Sequence, residues 1–285
     1  TAEGGRNTAT ISRNGDLLGR MYWQYTLTGA AATEINPGHT ILDEVKLEIG
    51  GQEVDKQYGH WMEVHAQLTE PNSAALFSEN GSNNGTKFQN MACAGGVLND
   101  NGNAPVAYVP LRFWFCRNPG CYLPLIALQY HEVKVITTFG TVDNITLASP
   151  KLWADYVYLD TDERRRFAQV SHEYLIEQVQ YSNSSSSQSH DLNFNHPIKE
   201  LVWTGAYTTT TGIFTDINSG NWKVTLNGHD RMEARPLDYY TKVQVYQHHT
   251  GTPVDITAAT AVASGTAANN AVAVYSFALK PEEHQ

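Results

Sequence analysis

The sequence predicts an all-β protein made of antiparallel β-sandwiches in tandem. Short apolar runs with a period of two recur along the chain, and residues typical of turns separate them. Aromatic residues make up 11% of the chain and charged residues only 17%, which favours a β-rich globular protein over a helical or disordered one. The 285 residues are enough for two domains or for one large sandwich.

The clearest strand of the first half covers residues 44–49, where three aliphatic residues alternate with charged ones. Gly50 and Gly51 follow, and we expect a hairpin there because glycine tolerates the positive φ of tight turns. A second strand then carries Val54 toward residues 58–61. Residues 71–104 are rich in Asn, Ser and Gly, and are predicted to form a long exposed loop.

Further strands are predicted at three places in the first half. The aromatic run at 111–115 suits a buried strand and ends in a turn at 118–120. Residues 130–136 alternate again, and a strand at 156–159 follows a break at Pro150.

One helix is predicted, starting near Asp160, which can cap it while Glu163 reaches back as in a capping box. Three arginines at 164–166 follow. We interpret them as a solvated helix face, or as partners of Asp162 and Glu163, rather than as a site for an acidic ligand. Extended chain is expected at 173–181.

The second half repeats the strand pattern after a serine-rich stretch at 183–189 that resembles a linker. Alternation at 222–226 before Asn227-Gly228 predicts a hairpin. Strands are expected at 240–246 and at 271–279, the latter buried on both faces, with a small-residue loop at 258–270.

The composition also limits the partners of the chain. The formal net charge is -10 and no basic stripe with interleaved aromatics is present, so direct nucleic-acid binding is not expected. No run reaches the ~20 apolar residues of a membrane span and no signal peptide is recognisable, which predicts a soluble chain made in the cytosol.

Catalytic and metal-binding patterns were not found. Cys93, Cys116 and Cys121 are expected to be reduced and buried, because three cysteines are too few for a disulfide framework and the last two lie too far apart for a zinc knuckle. His172-Glu173 begins a metalloprotease pattern, but Ile176 stands where the second histidine is needed.

Other candidate groups have simpler interpretations. His248 and His249 are adjacent and would point to opposite faces of a strand. Glu282 and Glu283 are expected at the solvated surface, and neither a nucleophile elbow nor a phosphate-binding loop is present. We therefore predict no catalytic residue, no metal site and no cofactor. Four Asn-x-Ser/Thr sequons make candidate glycosylation sites of Asn80, Asn84, Asn144 and Asn183.

Several long strings resemble the major capsid proteins of nucleocytoplasmic large DNA viruses, especially those of the algal-virus branch. The most specific are FWFCRNPG at 113–120, LPLIALQYHEV at 123–133 and YLDTDERRRFA at 158–168. Further matches are ISRNGDLL at 11–18, EIGGQ at 48–52, HEYLIEQ at 172–178, NHPIKEL at 195–201 and PLDYY at 236–240.

The resemblance implies a double jelly roll: a first jelly roll at 1–182 that lacks its N-terminal strand and ends in a short helix and strand, a linker at 183–195, and the start of an incomplete second jelly roll at 196–285. Since the family's opening strand and the end of its second jelly roll have no counterpart, the sequence is expected to be an internal fragment. Loops at 71–104 and 204–221 should be exposed or engage neighbouring chains.

The resemblance also implies a function and a set of partners. Three copies would form a homotrimeric, pseudo-hexameric capsomer that tiles an icosahedral shell. Its other partners would be neighbouring capsomers and minor capsid and penton proteins. It implies assembly in the host cytoplasm and a place in the outer capsid of the virion. It implies no membrane insertion, although an internal viral membrane can lie beneath the shell. It also implies that glycans are attached at sites other than the usual Asn-x-Ser/Thr sequon. The alternatives are a jelly-roll carbohydrate-binding module or lectin, and a β-sandwich hydrolase.

Overall fold

The computed structural model describes residues 4–29, 35–71, 77–78, 83–98, 106–143, 145–183, 189–253 and 270–284. Its first half is a sandwich of two antiparallel sheets. One sheet has the order β1 (Arg6–Thr10), β10 (Val133–Phe139), β3 (Leu42–Ile49) and β4 (Gln52–Tyr58). The other has the order β11 (Ile145–Val157), β2 (Leu17–Gly29) and β8 (Val106–Pro110), and β9 (Leu123–Pro124) pairs with the start of β2.

Short elements connect these strands. The helices are α1 (Pro37–Thr40), α2 (Gly59–Thr69), α3 (Lys87–Ala92), α4 (Trp114–Arg117) and α5 (Thr161–Gln169). The strands β5 (Phe77–Ser78), β6 (Asn83–Asn84) and β7 (Val97–Leu98) form a small sheet in which β5 pairs with both others.

Alternation along the strands produces the core of the sandwich. Every second residue of β2 from Met21 to Leu27 is buried, and these side chains meet the buried residues of β3 and β10. Trp23 shows how the two sheets are joined. Its ring packs edge-on against Phe139 with centroids 5.2 Å apart, and its Nε1 donates a hydrogen bond to Thr137 Oγ1 at 3.2 Å.

The described second half contains pairs of strands. β12 (Glu200–Thr204) pairs with β19 (Val272–Ser276), β13 (Tyr207–Thr208) with β14 (Ile213–Phe214), β15 (Asn221–Trp222) with β18 (Arg235–Pro236), and β16 (Thr225–Leu226) with β17 (His229–Asp230). A π-helical turn, Tyr239–Val243, continues directly into α6 (Gln244–His248).

Several sequence predictions are confirmed. The strand at 44–49 lies within β3, and β4 follows it through Gly50 and Gly51, both at positive φ. The hairpin at Asn227-Gly228 joins β16 to β17, with φ of 51° and 80°. β19 is buried on both faces as expected. Asp160 caps α5, since its Oδ1 accepts a hydrogen bond from the Glu163 backbone N–H at 2.9 Å.

The prediction of an exposed loop at 71–104 is wrong for its described C-terminal part. Thr86 and Gln89 form a capping box at the start of α3, and Phe88 is buried against the sandwich. The backbone N–H of Gly95 donates to Glu63 Oε2 at 3.0 Å, and this carboxylate also bonds to His39 Nδ1 at 2.7 Å. A buried backbone donor of this segment is therefore satisfied by a carboxylate of α2.

Two predicted strands do not form, and part or all of each is helical. Within 111–115, Trp114 begins α4, although Phe113 and Phe115 are fully buried as expected. Residues 240–246 lie in the π-helical turn and α6. Here Tyr240 and Val245 are buried while Tyr246 is 88% exposed, which is the spacing of a helical face rather than of a strand.

The predicted break at Pro150 does not occur, because β11 runs through it. Ser149 has a φ of 50°, and the register with β2 shifts between Ala148 and Lys151. This bulge accommodates a proline on a strand that pairs with β2 alone among the described strands, so the missing N–H breaks no ladder. The expected strand at 156–159 is the end of β11.

Residues 173–181 are extended as predicted, although they form no strand. The Val179 backbone N–H donates to Asp55 Oδ1 at 3.1 Å, which fastens this segment to β4. Residues 184–188 of the predicted linker and 258–269 of the predicted small-residue loop lie outside the described residues.

The two halves share a hydrophobic cluster. Ile35, Val64 and Leu68 of the first half pack with Phe214 and Val272 of the second. The expectation that 204–221 is an exposed loop is therefore wrong for β14. β14 is held against the first half because burying its aromatic and aliphatic side chains in the shared cluster stabilises both halves.

Candidate functional site

The outer faces of the two sheets of the sandwich differ in chemistry. On the sheet that contains β3 and β4, Lys46 Nζ lies 2.8 Å from Glu44 and 3.5 Å from Glu53, and Lys56 Nζ lies 3.1 Å from Glu44. Lys134 pairs with Glu132 at 3.1 Å. The three lysines of this face thus pair with glutamates of the same face.

The outer face of the other sheet, which we call the aromatic face, is formed by Tyr22, Gln24, Tyr108 and Trp153. Trp153 lies opposite Tyr22 across β11 and β2, and its Nε1 donates to Gln24 Oε1 at 2.6 Å. The rings of Tyr22 and Tyr108 lie 6.1 Å apart. Trp153 is 47% exposed and Tyr108 is 37% exposed. Sequence reasoning missed this face, although alternation of Lys151, Trp153 and Asp155 is visible in the sequence.

The three strands that carry the aromatic face contain few charges. Arg20 on β2 and Lys151 and Asp155 on β11 are their charged residues, and all three are exposed. None of the ion pairs between described residues involves them. The face is therefore aromatic at its centre, and its few charges form no ion pair within the described residues, although Asp155 and Arg20 fall opposite each other where the register of β11 and β2 shifts.

The histidines that drew attention in the sequence have structural partners. His172 Nε2 lies 2.7 Å from the Phe167 carbonyl and the His172 ring stacks on Phe167. His248 Nδ1 lies 3.1 Å from the Leu279 carbonyl. Within the described ranges, no group of three or more His, Cys, Asp or Glu side chains could hold a metal ion.

His249 occupies a buried position between two carboxylates. Its Nε2 lies 3.3 Å from Glu200 Oε2 and its Nδ1 lies 3.2 Å from Glu282 Oε1. Burial disfavours the charged imidazole, but the ion pairs with Glu200 and Glu282 outweigh burial and raise the pKa of His249 to about 9. The prediction that Glu282 is a solvated surface group is wrong, since Glu282 also accepts hydrogen bonds from the N–H and hydroxyl of Thr250.

The arginines of α5 were expected to bind solvent or their acidic neighbours. Arg164 instead bonds to Asp16 Oδ2 at 2.9 Å, and the same oxygen accepts from the Leu159 backbone N–H at 2.8 Å. These hydrogen bonds lower the pKa of Asp16. Arg164 thus fastens the start of α5 to the entrance of β2.

All three cysteines are buried, as predicted. Burial raises the pKa of the Cys116 thiol to about 12. Cys121 Sγ lies 2.9 Å from His284 Nε2. Burial and the nearby Glu177 raise the pKa of the Cys121 thiol. Both thiols are therefore protonated at neutral pH and are poor nucleophiles.

The four candidate glycosylation sites are only partly described. Asn80 and Asn144 lie outside the described residues, and Asn84 lies in β6, where only the backbone is described. Asn183 is exposed at the end of the extended segment.

A cavity of about 210 Å³ lies where the two halves meet, lined by Thr40, Asp43, His60 and Tyr207 among others. Burial lowers the pKa of His60 to about 4 and raises that of Tyr207. Both groups are neutral and neither exchanges protons readily near pH 7. The described helices include none that is long and apolar enough to cross a membrane.

Solved structures define the class of protein to which this fold belongs. A quasi-atomic model of the PBCV-1 virus capsid matches all of this chain and 76% of its own chain, with a TM-score of 0.78 and 31% identity. The Faustovirus major capsid protein matches all of this chain and 81% of its own at a TM-score of 0.66 and 9% identity, a likeness of fold alone. The chain has the double jelly-roll fold of viral capsid proteins.

Sequence comparisons define the family. Residues 1–160 match the model described as the major capsid protein N-terminus, and residues 163–285 match that of the large eukaryotic DNA virus major capsid protein. The chain is 42% identical to the major capsid protein of Pyramimonas orientalis virus, over 99% of this chain and 74% of that protein. It is 34% identical to that of Paramecium bursaria Chlorella virus 1, over 99% and 71%. The chain belongs to the family of major capsid proteins of large eukaryotic DNA viruses, and its role is structural.

Proposed function

We propose that this chain associates as a homotrimer into a pseudo-hexameric capsomer, and that such capsomers tile the icosahedral capsid of a large DNA virus. Two similar sandwiches per chain would give a trimer six near-equivalent sides, so that one protein can cover flat facets. The observation that carries the proposal is the match along the whole chain to a capsid structure at 31% identity. The protein would accordingly reside in the outer shell of the virion and be assembled in the host cytoplasm.

The proposal includes a division of the chain into a first jelly roll at 1–182, a linker at 183–195 and part of a second jelly roll at 196–285. It is supported by the start of β12 at Glu200 and by the change in sheet organisation beyond the extended segment.

We also propose a role without catalysis, supported by membership of a structural family. Neighbouring capsomers and minor capsid and penton proteins are proposed partners.

Sedimentation velocity and light scattering test the trimer. For the complete chain, we expect a species of three times its monomer mass at micromolar concentration. Negative-stain micrographs should then show particles with pseudo-sixfold outline. A monodisperse monomer over the whole accessible concentration range would exclude the proposed assembly, and glycan binding by that monomer would favour a lectin instead.

Asn183 remains a proposed glycosylation site because it is exposed. Mass spectrometry of the protein from virions would test it, together with Asn80, Asn84 and Asn144. Peptides that contain these residues without any added hexose mass would exclude the sites.

A further inference from the structure

We propose that the aromatic face is the surface through which one copy of this chain binds a second copy. The inference deepens the proposed trimer and rests on it. It assigns to β2, β8 and β11 a contact that neither the family match nor the identity to relatives specifies.

The two outer faces of the sandwich differ in how their exposed side chains are satisfied. The face of β3, β4 and β10 satisfies its lysines with its own glutamates at 2.8 to 3.5 Å. It is suited to water, because each of these lysines keeps a carboxylate partner and stays solvated. The aromatic face has no such network and presents partly exposed rings, which is the composition typical of the centre of a protein interface.

The rings of the aromatic face are also held in place before any partner binds. The hydrogen bond from Trp153 to Gln24 fixes the indole against the sheet, and Tyr22 and Tyr108 pack beside each other. Rings that are already held in place lose little conformational entropy on binding. Tryptophan and tyrosine in such positions commonly supply most of the binding energy of an interface.

Charge complementarity identifies the occupant. Arg20 and Lys151 outnumber Asp155 on these strands, whereas the whole chain carries a net charge of -10. The small net positive charge of the face is therefore attracted to another copy of the chain, which is acidic overall. A protein that forms a shell from many copies also has its own chain as its most abundant neighbour.

The test compares matched variants of the complete chain by sedimentation equilibrium. Trp153→Ala combined with Tyr108→Ala should raise the concentration at which trimers form by at least about tenfold. Tyr130→Ala removes a ring that is 93% exposed on a different surface and should leave assembly unchanged. Circular dichroism and the melting temperature confirm that each variant is folded.

Lys151→Glu probes the electrostatic part of the contact. It should weaken assembly at about 50 mM salt more than at about 500 mM salt, since screening removes the new repulsion. This substitution leaves all the rings of the aromatic face in place, so it separates the charge effect from the loss of ring contacts.

The outcomes distinguish this inference from the proposed trimer. A wild-type protein that is monomeric throughout would overturn both. Wild-type and Trp153→Ala/Tyr108→Ala proteins that form trimers equally well would overturn the assignment of the face and leave the trimer standing. Glycan binding that is lost in the double variant while its trimer is intact would also overturn the assignment, because the rings would then serve a sugar.

Discussion

At the scale of single residues, the clearest prediction concerns His249 and the dependence of stability on pH. Its side chain is 1% exposed and sits between Glu200 and Glu282. His65, on the adjacent end of α2, and Thr250 complete its surroundings. Protonation gives the buried ring a positive charge between two partly buried carboxylates, so all three groups remain in ion pairs.

The stability of the protein should therefore depend on His249 as pH rises. Its folded pKa of about 9 exceeds the ordinary value of 6.5, so its contribution is complete below about pH 6.5 and is lost as pH rises through 9. The shift corresponds to on the order of 3 kcal/mol. In urea unfolding, His249→Gln should remove most of the wild-type decline in stability between about pH 6.5 and 9.5. His248→Gln, next in sequence and more exposed, should retain it, and an unchanged slope in His249→Gln would contradict the assignment.

Asp55 is a buried carboxyl group whose ionisation should destabilise the protein. Burial raises its pKa to about 6, although hydrogen bonds from the Val179 N–H, Gln57 and the Lys56 N–H lower it. Because the folded pKa lies above the ordinary 3.8, the associated stability is complete below about pH 3.8 and is lost as pH rises through 6. Relative to wild type, Asp55→Asn should gain on the order of 3 kcal/mol between about pH 4 and pH 7.5. Exposed Asp155→Asn is the control, and a difference that does not vary with pH would exclude the shift.

Among the structural elements, the β13–β14 hairpin determines how the second half contacts the first. Gly212 has a φ of 73°, and a Cβ atom there would overlap both the Ile35 carbonyl oxygen and Thr40 Oγ1. The glycine is thus required by backbone conformation and by close approach to the first half.

Two glycine variants separate these requirements. Gly228, in the β16–β17 hairpin, has a φ of 80°, and a Cβ atom added there would have no neighbour within 4 Å. Gly228→Ala should cost about 1 kcal/mol from backbone conformation alone. Gly212→Ala should cost at least about 2 kcal/mol more, because the hairpin must also move away from Ile35. Equal losses in chemical denaturation would show that the hairpin is not held against the first half.

The elements also show which local signals are decisive. Asn227-Gly228 and the alternation at 44–49 are complete within a few residues, so they were predicted correctly. The run at 111–115 and the segment 240–246 were predicted as strands because their apolar residues suit either structure. Their helical form depends on which side chains the rest of the fold buries, as Tyr240 and Val245 illustrate.

For the whole molecule, the shared cluster of Ile35, Val64, Leu68, Phe214 and Val272 predicts cooperative unfolding of both halves. Leu68→Ala should destabilise the protein by about 3 kcal/mol and shift one calorimetric transition as a unit. Leu18→Ala, in the core of the first sandwich, should shift the same transition. Two separate transitions, of which each variant moves only one, would show that the halves unfold independently.

The sequence by itself determined the β class, the two hairpins, the capped helix and the burial of the cysteines, and its long motif strings indicated the capsid family. These features depend on periodicity and on neighbours a few residues apart. Tertiary structure alone decided that Glu282 reaches His249, that Arg164 reaches Asp16, and that Trp153, Tyr22 and Tyr108 form one face. Each of these contacts joins residues far apart in the chain, and strand register and sheet order, which no local pattern encodes, decide which residues meet.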